Sequence, residues 1–144
     1  KLAPLLKQMD VVILNRSEAA TLTKQNFKDE KKIFQKFDHL ISSGIAVMTE
    51  GAKGVLISDG RQIFSAGVFK EKKLLDRTGA GDSFGSGFVA SLIKNSDLDR
   101  AIRLASANAT SVVEHIGAKE GILTKAQFAR QPRWKKLTIK QKSL

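Results

Sequence analysis

The chain is predicted to adopt an α/β fold with a mainly parallel sheet. Three observations lead there. Short apolar runs at Val11 to Leu14 and Ile45 to Met48 have the length of buried strands. A stretch of helical periodicity lies between them, and two more follow residue 83. Strands that alternate with helices pair most readily as parallel neighbours.

The elements follow in order. The run Val11 to Leu14 ends at a polar break, Asn15 to Ser17, and a helix is expected from Ser17. Between Phe27 and Ile41, the residues Ile33, Phe34, Phe37, Leu40 and Ile41 make one apolar helix face with lysines opposite, and Gly44 is expected to stop that helix. Ile45 to Met48 is a second strand. A turn through Gly51 and Gly54 leads to Val55 to Ile57, and Asp59-Gly60 closes a hairpin. Leu74-Leu75 is expected to be a strand that feeds, through residues 76 to 82, a helix carrying Phe84, Phe88, Val89, Leu92 and Ile93. Asp99 to Val113, rich in alanine, makes a last helix that a neighbour can approach closely.

With 144 residues, 42% of them hydrophobic, the chain is read as one domain with a real core. It has no cysteine, which excludes disulfides and thiolate metal sites and makes a cytoplasmic location the default expectation. No apolar run reaches the roughly 20 residues that span a bilayer. The net charge of +11 would suit nucleic acid, anionic membranes or phosphorylated ligands. Much of the excess lies in Lys24 to Lys36 and in a basic tail, residues 130–144, both read as solvated surface. No zinc-finger spacing, RNA-binding signature or basic heptad array accompanies the charge, so nucleic acid is not expected as a partner. His39 and His115 have no carboxylate at motif spacing, and the Asn15 and Asn108 glycosylation sequons are read as chance matches.

The chemistry is concentrated in Asp76-Arg-Thr-Gly-Ala-Gly-Asp82. Its glycines permit backbone angles closed to other residues. The amides of Ala80, Gly81 and Asp82 are expected to be unpaired first donors of a helix, at the positive end of its dipole. Such a turn binds an anion, most naturally phosphate. Asp82 beside it is suited to accept the proton of an attacking hydroxyl. It is equally suited to be a simple helix cap, with the glycines only making a turn.

The longer string Asp76-Arg-Thr-Gly-Ala-Gly-Asp-Ser-Phe-Gly-Ser-Gly-Phe88 resembles the C-terminal signature of the PfkB, or ribokinase-like, carbohydrate kinases. Asn15-Arg-Ser-Glu18 is similar to the family's Asn-x-x-Glu motif, and Thr49-Glu-Gly-Ala-Lys-Gly54 to its Thr-x-Gly-x-x-Gly nucleotide loop. All three come in family order. The resemblance implies a three-layer α/β/α fold of which this chain, 1–144, is the C-terminal half. It implies an ATP-dependent phosphotransferase acting on an alcohol group, with Asp82 as general base and Gly79, Ala80 and Gly81 completing the anion hole.

By the same resemblance Glu18 holds Mg²⁺ through its water shell, and Asn15, Thr49, Gly51, Lys53, Gly54 and Gly81 meet ATP. Ser106 falls where the family places Asn or His beside the adenine, with Asn108 as a nearby substitute at another helical angle. A monovalent cation, K⁺, is implied near the oxygens of Asp76, Thr78, Val112, His115, Gly117 and Gly121. Arg77 departs from the small residue usual at its position.

Ribokinase-like chains are longer, and their N-terminal part supplies sugar contacts and a strand lid, for which nothing here is similar. With Lys1 as first residue, the chain is expected to be a fragment that needs that missing N-terminal half as its partner. It should have little activity alone, and its exposed sheet edge could support a homo-oligomer. A sugar ranks first as acceptor and a nucleoside second. The alternative reading is a noncatalytic nucleotide-binding or assembly module. A Rossmann dehydrogenase would need Gly85-Ser-Gly87 in a strand-to-helix turn and an acid beyond, and a Walker loop needs Gly-Lys-Ser/Thr, which is absent.

Overall fold

The computed structural model describes residues 2–143, without the side chain of Ala3. They divide into two units, one running up to Ala66 and including the strand Ile139–Ser143, the other Gly67–Thr138.

The first unit begins with the short helix α1 (Ala3–Leu6) and strand β1 (Val11–Asn15). Helices α2 (Arg16–Thr23) and α3 (Glu30–Ile41) precede strand β2 (Ile45–Thr49). Strands β3 (Val55–Ser58) and β4 (Gln62–Ala66) follow. α3 starts three residues later than the periodicity suggests, and the chain leaves it at Ser42, whose φ of 67° breaks the helical path. Gly44, two residues on, has a different job. A Cβ there would sit 2.2 Å from the Met9 carbonyl oxygen, so glycine lets the backbone pass.

The sheet order is β1-β2-β3-β4-β5, and it corrects the expectation of a mainly parallel sheet. Only β1 and β2 are parallel, joined across α2 and α3; the other three pairs are antiparallel. For β2–β3 and β3–β4 the cause is connection length. A parallel pair needs a crossover, whereas the Glu50–Gly54 and Asp59–Arg61 links can only reverse the chain. One sheet face carries Ala46 and Met48 against Ile33, Phe34, Phe37, Ile41, Ala19 and Ala20 of the two helices. Val47, Val55, Ile57 and Phe64 are buried on the other, which is why β2 reads as a continuous apolar run.

In the second unit, α4 (Ala80–Asn95) packs on α5 (Leu98–Val113). Gly87 permits this approach, because a Cβ there would lie 2.6 Å from the Asn108 Nδ2 and 3.3 Å from the Ala105 Cα. The expected strand at Leu74-Leu75 does not form. Both residues are exposed and irregular, and Leu75 spends its amide on the carbonyl of Val113 at the end of α5. An apolar pair of two is too short to specify a strand without a ladder partner.

The basic tail is solvated only in part: Arg130, Lys135, Lys136, Lys140 and Lys142 are exposed, as expected, but its middle is not. After helix α6 (Lys125–Arg130), Trp134 is 1% exposed and meets Phe69 edge to face at 5.1 Å. Arg133 stacks over Trp134 at 3.7 Å and pairs with Glu114 at 2.8 Å, while Arg103 donates to the carbonyls of Lys135 and Leu137. Residues 139–143 then form β5 on the edge of the first unit's sheet, where Lys140 and Lys142 stay exposed and discourage further pairing. Among the described residues no helix is long and apolar enough to cross a membrane.

Candidate active site

Parallel pairing places Asn15, the last residue of β1, beside Thr49, the last of β2. Ligands of α/β folds collect at such carboxyl ends of parallel strands. Asn15 also caps α2. Its side-chain oxygen accepts from the Glu18 amide at 2.9 Å, and Glu18 Oε2 accepts from the Asn15 amide at 2.8 Å. This reciprocal box satisfies two orphan helix donors. It leaves Glu18 Oε1 and the Asn15 amide group of the side chain exposed and without a partner among the described residues.

Beyond Thr49, Gly51–Lys53 form a single 3₁₀ turn. Gly51 and Gly54 have φ of 56° and 101°, a region that favours glycine, and the Glu50 amide closes the turn onto the Gly54 carbonyl at 2.8 Å. Lys53 and Gly51 are exposed, and a Cβ added at Gly51 would meet open space. The turn thus presents backbone and one ammonium without side-chain cover.

In the second unit, Asp76 organises the glycine segment. Its carboxylate accepts from the amides of Thr78 at 2.9 Å and Gly117 at 3.1 Å. Gly79, with φ of 79°, caps α4 without a side chain, and a Cβ there would fall 2.3 Å from the Ala118 carbonyl oxygen. Ser83 N–H donates to the Gly79 carbonyl at 2.8 Å, which starts the helix. The amides of Gly79, Gly81 and Asp82 have no acceptor among the described residues. Ala80 corrects the expected set, because its amide turns back to the Arg77 carbonyl at 3.3 Å. The Asp82 carboxylate is exposed in the first turn. Unpaired amides, the helix dipole and an open carboxylate therefore meet at one helix start.

The residues expected around a monovalent cation lie in this unit as two linked groups. Asp76, Thr78 and Gly117 are joined through the Asp76 carboxylate. His115 and Gly121 meet at the Ser111 carbonyl, 2.8 Å from His115 Nδ1, and the Val112 carbonyl accepts from the His115 amide at 3.0 Å. The donors are mostly oxygens, which suits a hard cation. Ser106 and Asn108 are both buried in α5, and the Asn108 side-chain oxygen already accepts from the Leu123 amide at 3.1 Å. That bond holds the carboxamide inside its own unit.

Among the described residues no three His, Cys, Asp or Glu side chains gather to hold a metal. A lone exposed carboxylate such as Glu18 fits Mg²⁺, which retains several waters and needs few protein ligands.

Hydrogen bonds from the Thr78 backbone and side chain, then from Gly117, hold the Asp76 carboxyl below its ordinary value of 3.8. For Glu114, burial disfavours the charge, but Arg133 and the Lys72 amide outweigh it and the carboxyl falls below 4.5. Groups depressed on folding stabilise above their unfolded values, and that contribution disappears as pH falls through the folded ones. Acid should therefore loosen this unit, with losses beginning near pH 4.5. Urea unfolding of Asp76→Asn and Glu114→Gln between pH 2 and 6 should show a shallower acid decline than wild type. An unchanged slope would remove both contacts from the account.

Arg16 and Glu50 were passed over in the sequence, where they fill variable positions inside two motifs. Their side chains are largely covered, at 13% and 8% exposed.

The pfkB family carbohydrate kinase model matches residues 1–125. A ribokinase from Haemophilus influenzae is 33% identical over 126 residues, 85% of this chain and 40% of its own length. A cytidine kinase from Thermococcus kodakarensis is 31% identical over 118 residues, 81% of this chain and 41% of its own. The structure of an Arabidopsis thaliana ribokinase complexed with ribose and ATP superposes with a TM-score of 0.80 at 22% identity, over 89% of this chain and 42% of that one. The ribokinase-like α/β fold class is thereby borne out. This chain spans about 40% of the length of the curated relatives it matches.

Proposed function

Since the chain belongs to the pfkB family of carbohydrate kinases, we propose that it is the nucleotide-binding and phosphoryl-transfer part of an ATP-dependent kinase for an alcohol group. The observation that carries this reading is the start of α4, where the Gly81 and Asp82 amides lack acceptors and the Asp82 carboxylate stands open.

The reaction moves the γ-phosphoryl group of ATP to a hydroxyl oxygen. A new P–O bond forms to the acceptor, the bond to the ADP oxygen breaks, and the hydroxyl proton passes to Asp82. Negative charge on the equatorial oxygens of the moving group is met by fixed amide donors that need no reorganisation. One such donor is typically worth about 3 kcal/mol. Gly79 and Asp76 hold those donors in place.

Asn15 and Glu18, beside Thr49, are assigned to the phosphate end of the nucleotide. Gly51, Lys53 and Gly54 are assigned to a loop that closes on its phosphates and ribose, and Ser106 to the adenine neighbourhood. Mg²⁺, when bound through water at Glu18, supplies charge neutralisation between the phosphates. K⁺ is assigned to the Asp76, Thr78, Val112, His115, Gly117 and Gly121 oxygens, where it would stiffen the turn that carries the amides. A sugar is the preferred acceptor and a nucleoside the second, in keeping with relatives named ribokinase and cytidine kinase.

The curated relatives contain more than this chain, and water exclusion and acceptor positioning are assigned to that additional part. The isolated chain should therefore bind MgATP weakly and turn over ribose or cytidine far below the roughly 1–100 s⁻¹ usual for kinases. A coupled ADP-release assay decides it. Ordinary turnover by the isolated chain would contradict the division of labour. No nucleotide affinity at all, by calorimetry or amide shifts, would remove the kinase assignment.

A further inference from the structure

Arg16 lies between the two residues of the capping box, yet its side chain turns inward and is only 13% exposed. Its guanidinium reaches four places. NH1 lies 3.1 Å from Glu50 Oε1 and 3.3 Å from Glu30 Oε2. Nε donates to the Phe27 carbonyl at 3.0 Å and NH2 to the Lys28 carbonyl at 3.2 Å, and the Phe27 ring lies 5.0 Å away. The contacts tie together the first turn of α2, the α2–α3 connection, the start of α3 and the residue that opens the Gly51–Gly54 turn. A planar fork with five donors can do this, and a lysine ammonium cannot reach so many acceptors at once.

Glu50 is the informative partner. Its side chain is 8% exposed, although it borders a turn whose other residues, Gly51 to Lys53, are exposed. Its carboxyl is raised first by burial and then by the nearby Glu30 carboxylate, while Arg16 and Lys53 draw it down. Its Oε1 is buried and makes no hydrogen bond among the described residues, so what links it to Arg16 is the ion pair at 3.1 Å.

We propose that Arg16 is a positioning residue that, through Glu50, holds the Gly51–Gly54 turn in its nucleotide-receiving shape and couples it to the Asn15–Glu18 segment. The proposal rests on the kinase reading for its nucleotide and on the geometry alone for the link. Two glycines at positive φ leave this turn with little intrinsic rigidity. The Arg16–Glu50 pair supplies a fixed point at its entrance.

The test has two readouts. In the chain itself, hydrogen exchange at the Lys53 and Gly54 amides, which donate to the Glu50 and Gly51 carbonyls, should accelerate about tenfold in Arg16→Met and Glu50→Gln. Amides in the middle of β2 should not respond. In an active kinase that contains this chain, the same variants should raise KM for ATP about tenfold with kcat nearly unchanged, and Arg16→Lys should recover only part of it. If Arg16→Met does not fold, Glu50→Gln, isosteric and neutral, decides. Folded variants with wild-type exchange at Lys53 and Gly54 overturn the link. Faster exchange with an unchanged KM overturns the positioning role. Faster exchange in the variants of a protein with no ATP affinity would instead overturn the kinase reading and reduce Arg16 to a structural tie.

Discussion

On the proposed function, Asp82→Asn should lower kcat by about 10³-fold in an active kinase that contains this chain, while KM for ATP stays nearly unchanged. The size is that of a general base removed from proton transfer. The direction of the split matters more. Asn is isosteric, keeps the Asp82 amide where it is and tolerates a helix first turn, so the open amides at the helix start survive. What disappears is the acceptor for the hydroxyl proton. If Asp82 served only as a first-turn acid against the helix dipole, its loss would cost about 0.3–1 kcal/mol of stability and leave turnover intact. Steady-state kinetics beside a urea melt separate these outcomes, and retained turnover would take Asp82 out of the base role.

Gly79→Ala and Gly81→Ala should behave oppositely, although both insert one methyl group into the same turn. At Gly79 the methyl group meets the Ala118 carbonyl oxygen at 2.3 Å and the Ala118 Cα at 2.7 Å, and φ is 79°. Left-handed strain alone costs about 1–3 kcal/mol, and the clash with backbone cannot be relieved by a rotamer change. The unit should lose several degrees of melting temperature, and turnover should fall as the amides are displaced. At Gly81 nothing lies within 4 Å of the added methyl and the residue is helical. Stability should hold or rise by up to about 1 kcal/mol, since alanine is the better helix former. Activity should nonetheless drop, because the methyl would stand where a phosphoryl group must approach the amide. A Gly81→Ala protein with full activity would show that this amide is not used.

Much of the candidate site was legible because its residues act through local chain order. Glycines at 51, 54 and 79 take positive φ, and the helix start at Ala80 coincides with the turn expected from the string alone. Other features depended on partners remote in sequence. The Leu74-Leu75 strand failed because Leu75 found the Val113 carbonyl instead of a ladder. The tail read as solvent-facing from its charge, yet Trp134 and Arg133 are engaged by Phe69 and Glu114. Charge density does not reveal which cations have a buried carboxylate waiting.

The sequence by itself determined the elements whose signals are short range: the amphipathic helix 30–41, the apolar strands, the hairpin reversals and the glycine turn that opens α4. It also determined the family, through three motifs in order. Only the tertiary structure decided which strands run antiparallel and that Asp76 ties its turn to Gly117. It likewise decided that the Ala80 amide is taken and that the Arg16 guanidinium lies 3.1 Å from Glu50 at the entrance of the Gly51–Gly54 turn. The physical reason is separation along the chain. Periodicity and turn chemistry are read within a few residues, whereas a carboxylate and an amide 41 residues apart, as in Asp76 and Gly117, meet only after packing has chosen their neighbours.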